Sequence, residues 1–290
     1  MIHHPEKRLL LFGASGKLGT ALCKAFGAGY RIDAKSSADL DIADLDAVAR
    51  YIQATGPELV INAAAFVGID ACEESPAMAF KINTAFPKAL ARLSRETGFR
   101  LVHISTDAVF DGAKRDFYTE ADCARPINVY GMTKYGGDCC IQAIAEKYYI
   151  FRMALLFGEN PKNNQFVEKM LARIREGAGE LRISDDIVTS PSYSSDVARA
   201  IKNILESDTA YGLYHLANAG QASLYDLIKT LAARMNARVR LTRCSHTCFA
   251  SKGIKNTITP IRSRHLPPLR AWQDALGDFC ETLSGEVDHE

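Results

Sequence analysis

Much that would point to a partner or a compartment is scarce in this chain of 290 residues. No apolar run approaches the roughly 18 residues that a membrane-spanning helix needs, so none is expected. The opening Met1 to Arg8 leads into a strand pattern, and no secretory leader is read there. Net charge is nearly absent: 35 Lys and Arg stand against 34 Asp and Glu, leaving +1. That balance gives no electrostatic case for nucleic acid or for an acidic membrane surface as partner. The eight cysteines form no C-x-x-C pair. Cys244, His246 and Cys248 lie close, but no second ligand cluster accompanies them. They read as reduced thiols in a cytoplasmic protein, with no metal site. Neither an internal repeat nor a low-complexity tract is present. The chain has one tryptophan, Trp272, near its end.

What is present is an ordinary globular composition, 47% hydrophobic and 24% charged. Arg8 to Phe12 reads as a strand. It runs into Gly13-Ala-Ser-Gly16-Lys-Leu-Gly19 and then a helical pattern, Thr20 to Phe26. Strand, glycine-rich turn and helix is the context that gives such a loop meaning. The glycines allow a tight turn and close backbone approach, and the helix N-terminus offers N–H groups to a pyrophosphate. The next strand is Tyr30 to Lys35, with its tip near Ser36. An acid at that tip favours NAD, whereas a cation and small polar residues admit the 2′-phosphate of NADP. Lys35, Ser36 and Ser37 therefore lean towards NADP. Asp33 falls inside the strand, and a shift of two residues would restore NAD.

A helix over Leu45 to Ala54 follows Leu40-Asp41-Ile42. Glu58 to Ala65 is a buried strand ending in Asn62-Ala-Ala-Ala65, small residues against which a flat cofactor can lie. A long helix is expected from Ser75-Pro76 to about Gly98. Asn83 within it is either a solvent-facing amide or a contact to the cofactor region.

Leu101 to Ile104 has the composition of a buried strand and ends in Ser105, Thr106 and Asp107. In a doubly wound sheet such strand ends meet the ligand. Tyr130 and Lys134 stand four apart in a helical pattern, which puts phenol and ammonium on one face. A free tyrosine titrates near 10, so proton transfer near neutrality asks for a shift of about three units, or about 4 kcal/mol. A lysine and a positively charged cofactor ring would supply it. Thr106 is placed to hold a carbonyl oxygen beside Tyr130.

The alternation of strand and helix up to a strand at Tyr149 to Arg152 argues an α/β fold with a parallel, doubly wound Rossmann-type sheet. Beyond Gly158 the rhythm loosens. Helices are expected over Phe166–Arg175, Asp196–Glu206 and Leu224–Met235, and strands over Leu181–Ser184, Gly212–Leu216 and Arg238–Leu241. Ser245 to Pro268 reads as loop. The expected division is a dinucleotide-binding unit over 1–158, joined by further elements from the second half, and a smaller substrate lobe over most of 159–290.

Several stretches resemble a known family, the extended short-chain dehydrogenase/reductases, in its branch of dTDP-4-dehydrorhamnose reductase-like sugar-nucleotide reductases. They are Asn62 to Ala65, Val102 to Gly112, Pro126 to Lys134, Asn163 to Phe166 and Asp185 to Pro191. The resemblance implies NAD(P)H-dependent reduction of a nucleotide-linked 4-keto-6-deoxy sugar. Hydride goes to C4, Tyr130 protonates the oxygen, and Lys134 orients the cofactor ribose. Thr106 and Asp107 hold the substrate, with Phe110, Asn164 and Phe166 on the substrate side. The implied cofactor shell is Gly13, Ser15, Gly16, Lys17, Leu18 and Gly19, then Lys35, Ser36, Ser37, Asp41 and Ile42, then Ala63, Ala64, Ala65, Asn83 and Ser105, with Tyr130 and Lys134. Where dTDP-rhamnose enzymes carry Thr-Ser-Trp-Val-Tyr-Gly, this chain has Met153-Ala-Leu-Leu-Phe-Gly158. An indole is thus replaced by Leu155. That segment also resembles the regulatory β subunit of methionine adenosyltransferase, an NADP-holding partner protein and the alternative reading. Oligomeric state stays open, a homodimer being one reading.

Overall fold

The continuous apolar runs become strands buried on both faces, as a sheet covered by helices on each side requires. The computed structural model describes residues 7–159 and 165–285. Its first half follows the alternating pattern: β1 (Lys7–Phe12), α1 (Lys17–Phe26), β2 (Tyr30–Lys35), α2 (Leu45–Thr55) and β3 (Leu59–Asn62). Next come α3 (Ile69–Glu74), α4 (Pro76–Phe80) and α5 (Phe86–Thr97). Then follow β4 (Arg100–Thr106), α6 (Val129–Ile144) and β5 (Tyr148–Met153).

The long helix expected from Ser75 is not regular. Lys81–Ala85 is a π-helical turn between α4 and α5. Pro87 supplies the reason: it has no N–H for the carbonyl four residues back, and its ring crowds that carbonyl. The released Asn83 carbonyl approaches α6 so closely that a Cβ at Gly137 would stand 2.4 Å from it.

The second half is built of shorter pieces: β6 (Leu156–Phe157), α7 (Phe166–Arg175), β7 (Glu180–Ser184), β8 (Val188–Thr189), β9 (Ser192–Tyr193) and α8 (Ser194–Glu206). After them come β10 (Gly212–His215), β11 (Asn218–Ala219), β12 (Ala222–Ser223), α9 (Leu224–Arg234), β13 (Arg240–Cys244), β14 (Leu269–Ala271) and α10 (Trp272–Gly285). The central sheet has the order β10-β5-β4-β3-β1-β2, and every pairing in it is parallel. β10 and α8 thus return to the first half, α8 packing on α1. One core lies between the sheet and the α1/α8 layer, and another between the sheet and α2, α5 and α6. A third gathers α7, α9 and α10 around Leu227, Leu231, Trp272 and Phe279. Helix α10 and β14 had no counterpart in the sequence reading. Ser245 to Pro268 is largely irregular, as expected, but it folds back over the first half: the Tyr118 N–H donates to the Pro260 carbonyl and the Arg262 N–H to the Tyr118 carbonyl.

Candidate active site

The strand order reverses between β1 and β3, and a cleft of about 950 Å³ opens at the carboxyl ends of β1, β3 and β4. At one end the chain after β1 presses against the chain after β3. Gly13 has φ +82°, and a Cβ there would stand 2.6 Å from the Ala64 nitrogen. A Cβ at Gly19 would stand 2.1 Å from the Gly13 carbonyl oxygen. No side chain caps α1 and no acid lies in its first turn. Its leading N–H groups are therefore left for an anion. Gly13, Ser15, Gly16, Leu18 and Gly19 line the cleft, with Ala63, Ala64 and Ala65 opposite. These residues fit a dinucleotide lying across bare backbone.

Lys17 also borders the cleft, but its charge is already spent. It is buried, its Nζ lies 2.6 Å from Glu168 Oε1 of α7, and it donates to the Leu156 carbonyl at 2.7 Å. At the tip of β2, Lys35, Ser36, Ser37 and Ile42 line the cleft. Lys35 Nζ is 2.9 Å from Asp33 Oδ1 and 4.6 Å from the centre of the Tyr51 ring. Hydrogen bonding to Tyr51 and Asp33 pushes it up to about 12, so it is a firm cation. Asp33 is inside the strand and accepts the Tyr51 hydroxyl at 2.5 Å. Two expected cofactor contacts lie off the cleft. Asp41 caps a turn, accepting from the Ala43 N–H. Asn83 is buried, because the π-helical turn rotates it inward: it accepts the Phe66 N–H, donates to the Phe66 carbonyl and reaches Thr133 Oγ1. It anchors the loop after β3 to α6.

Ser105, Thr106, Tyr130 and Lys134 come together at the other end. Asn128 caps α6, its side chain accepting the Gly131 N–H at 2.8 Å, which sets the turn that carries Tyr130. The phenol does not have the lowered pKa expected from a neighbouring lysine. Burial raises it well above the ordinary tyrosine value, only partly offset by a hydrogen bond with Thr106. Lys134 is itself brought down to about 8 by burial, against the pull of Asp138. In the packed site desolvation is the largest influence and keeps the phenol protonated. That is the form a proton donor needs.

The Thr106 hydroxyl donates to Asp107 Oδ1 at 3.2 Å and accepts the Ala108 N–H. Burial raises Asp107 to about 6, against a 2.6 Å hydrogen bond from Thr259. Phe110 is not on the substrate side. It is fully buried, stacked on Tyr118 at 4.2 Å between ring centres. Phe166 borders the cleft and Asn164 lies outside the described residues. Sequence reasoning missed Asn256 and Thr259, which the loop before β14 brings to the cleft, and Val67, Ile187 and Leu224 along its rim. All eight cysteines are thiols, and no metal-binding group occurs among the described residues. No helix among them is long and apolar enough to cross a membrane.

The RmlD substrate binding domain family matches residues 7–284. The chain belongs to that family. A dTDP-4-dehydrorhamnose reductase from Mycolicibacterium smegmatis is 32% identical over 287 residues, 96% of this chain and 86% of that protein. A dTDP-4-dehydrorhamnose reductase structure from Clostridium acetobutylicum superposes with a TM-score of 0.91 at 31% identity, covering 96% of this chain and 99% of the other. One from Bacillus anthracis, in complex with NADP, gives 0.90 at 28% identity over 96% and 99%. As an RmlD-family protein, the chain is an NAD(P)-dependent oxidoreductase. Its Leu155, at the position where the resemblance implies tryptophan, does line the cleft. Trp272 is buried in the α7/α9/α10 core.

Proposed function

We propose that the protein reduces the 4-keto group of a nucleotide-linked 4-keto-6-deoxy sugar of the dTDP-4-dehydrorhamnose kind, using NADPH. The observation that carries this reading is the convergence of Thr106, Tyr130 and Lys134 on the cleft that the glycine-rich turn opens. A nicotinamide held in this cleft would supply the hydride. Tyr130 gives its proton to the carbonyl oxygen as negative charge develops there, and its raised proton affinity means the phenol is protonated beforehand. Thr106 and Asp107 hold the sugar, Asp107 being fixed by Thr259. Lys134 is held through its 2.5 Å bond to the Ile104 carbonyl. The regulatory-subunit reading is not favoured, since the relatives are named reductases and the acid–base set is assembled. Reduced thiols and a nucleotide-sugar substrate suit a cytoplasmic enzyme, and sedimentation velocity tests whether it works as a homodimer.

The test is NADPH oxidation with a panel of 4-keto sugar nucleotides. Tyr130→Phe should lower kcat by about 10² to 10⁴ while NADPH affinity holds. A Tyr130→Phe protein turning over at the parent rate would end the scheme.

A further inference from the structure

The scheme above leaves three buried charged or titratable side chains behind the site unused: His103 on β4, Asp138 on α6 and Arg152 on β5. The register places Asn62 of β3 directly beside His103. The Asn62 amide has one orientation available. Its Oδ1 accepts the Ala64 N–H at 3.1 Å, so Nδ2 is the atom 3.1 Å from His103 Nδ1. An amide nitrogen only donates, so His103 Nδ1 must present its lone pair. Burial keeps the ring neutral, lowering its pKa, with the Lys134 charge adding to the effect. The single ring proton therefore sits on Nε2, and Nε2 faces Lys134 Nζ at 3.4 Å.

That contact distinguishes the two states of the lysine. An ammonium has only hydrogens to offer and gains nothing from an N–H, whereas an amine has a lone pair that accepts it. The other groups nearby act differently. Asp138 favours the ammonium, but its Oδ2 is taken by Arg152 Nε at 3.1 Å, and its Oδ1 lies 4.0 Å from His103 Nε2. Asp107 and Cys72 bear on Tyr130, raising its proton affinity. We propose that His103, held by Asn62 with its proton on Nε2, is a positioning residue that sets the proton affinity of Lys134 by hydrogen-bonding its amine form. The inference rests on Lys134 belonging to the reductase's acid–base pair, but its test reads protons directly.

The experiment is NMR of the full chain with ¹⁵N-labelled histidine and lysine, from about pH 6 to about pH 10. His103 should stay neutral with its proton on Nε2, and Lys134 should titrate below the exposed lysines. Removing the donor in His103→Leu should move the Lys134 titration up by about half a unit to one unit, the worth of one hydrogen bond. Asn62→Ala, which unlocks the ring, should move it the same way. In the NADPH assay, the limb of the pH–rate profile that follows Lys134 should shift with it, while a merely structural defect lowers the rate at every pH. A proton on Nδ1, a Lys134 that titrates with the exposed lysines, or an unmoved titration in either folded variant would overturn the proposal. Failure to reduce any keto sugar would overturn the reductase reading and leave these titrations standing.

Discussion

At Gly131, the residue after Tyr130, α6 packs closely on the turn that follows Thr106. A Cβ there would lie 2.2 Å from the Ala108 carbonyl oxygen, and 3.1 Å from both the Ala108 carbonyl carbon and Pro126 Cβ. A carbon needs roughly 3.3 Å from such an oxygen. Gly131→Ala must therefore open about 1 Å between two stretches of backbone, with no flexible side chain to yield. The opening falls between Tyr130 and the Thr106–Asp107 pair. Displacement of that size costs on the order of 10² in rate. Overpacking costs about 1–3 kcal/mol, and the better helix propensity of alanine returns up to about 1. Urea denaturation should show a net loss of about 1–2 kcal/mol. kcat should fall about 10²-fold, while NADPH affinity changes less than about threefold, because the glycine cradle is at the other end of the cleft. Gly179→Ala, at an exposed position with nothing within 4 Å, is the control and should change neither. Parent kcat and parent stability in Gly131→Ala would refute the idea that Ala108 fixes the placement of Tyr130.

Lys35→Ala should weaken NADPH binding roughly tenfold and NADH binding less than about threefold by calorimetry, as loss of one charged contact implies; an equal loss for both would move the 2′-phosphate away from Lys35. Burial raises the folded pKa of Asp107 to about 6, above the ordinary carboxyl value of about 3.9, so the folded protein holds an extra proton between those values and this residue's contribution to stability falls as pH rises from about 4 to about 6. Asp107→Asn should flatten that stretch of the stability–pH curve, and an unchanged slope would assign the ionisation elsewhere. Lys17→Met should cost about 3–5 kcal/mol in urea denaturation by stranding buried Glu168, with the double variant Lys17→Met/Glu168→Leu recovering most of it; a loss of NADPH affinity at unchanged stability would show that Lys17 serves the cofactor instead.

What was legible in the sequence was what depends on near neighbours. The run Leu9 to Phe12, the glycines after it and the four-residue spacing of Tyr130 and Lys134 fix a strand, a turn and a helix face by local rules, and the structure has all three. β2 ends at Lys35, as its pattern implies, because strand length is also local. The sequence does not decide which way Asn83 faces, and its burial follows from Pro87 forcing a π-helical turn, a consequence seen only once the turn meets α6. Phe110 follows the motif closely in sequence but turns beneath it to stack on Tyr118. Thr259 and Asn256 lie in a stretch with no periodicity, so nothing in their spacing announced that the chain returns about 150 residues later to grip Asp107 and the Phe110 carbonyl. The direction of the Tyr130 pKa shift is hidden from the sequence for a related reason. Proximity of a cation can be read from spacing, but desolvation is a property of the packed site, and here it is the largest influence on the phenol.

Lys17 makes a related point about charge. A lysine in a glycine-rich turn invites the reading that it grips phosphate. Here it is tied to Glu168 of α7 and to the Leu156 carbonyl, so it brings no net charge to the pyrophosphate. The uncapped N–H groups of α1 are then left to meet the anion, while the cation at the β2 tip, Lys35, is paired with Asp33 at the edge of the cleft, where the 2′-phosphate of NADP would lie. This division has a mechanical consequence. The start of α7 carries Phe166 at the cleft, two residues before Glu168. The same ion pair that removes Lys17 from the phosphates therefore pins the substrate side of the cleft to the cofactor side, through a contact that is expensive to break.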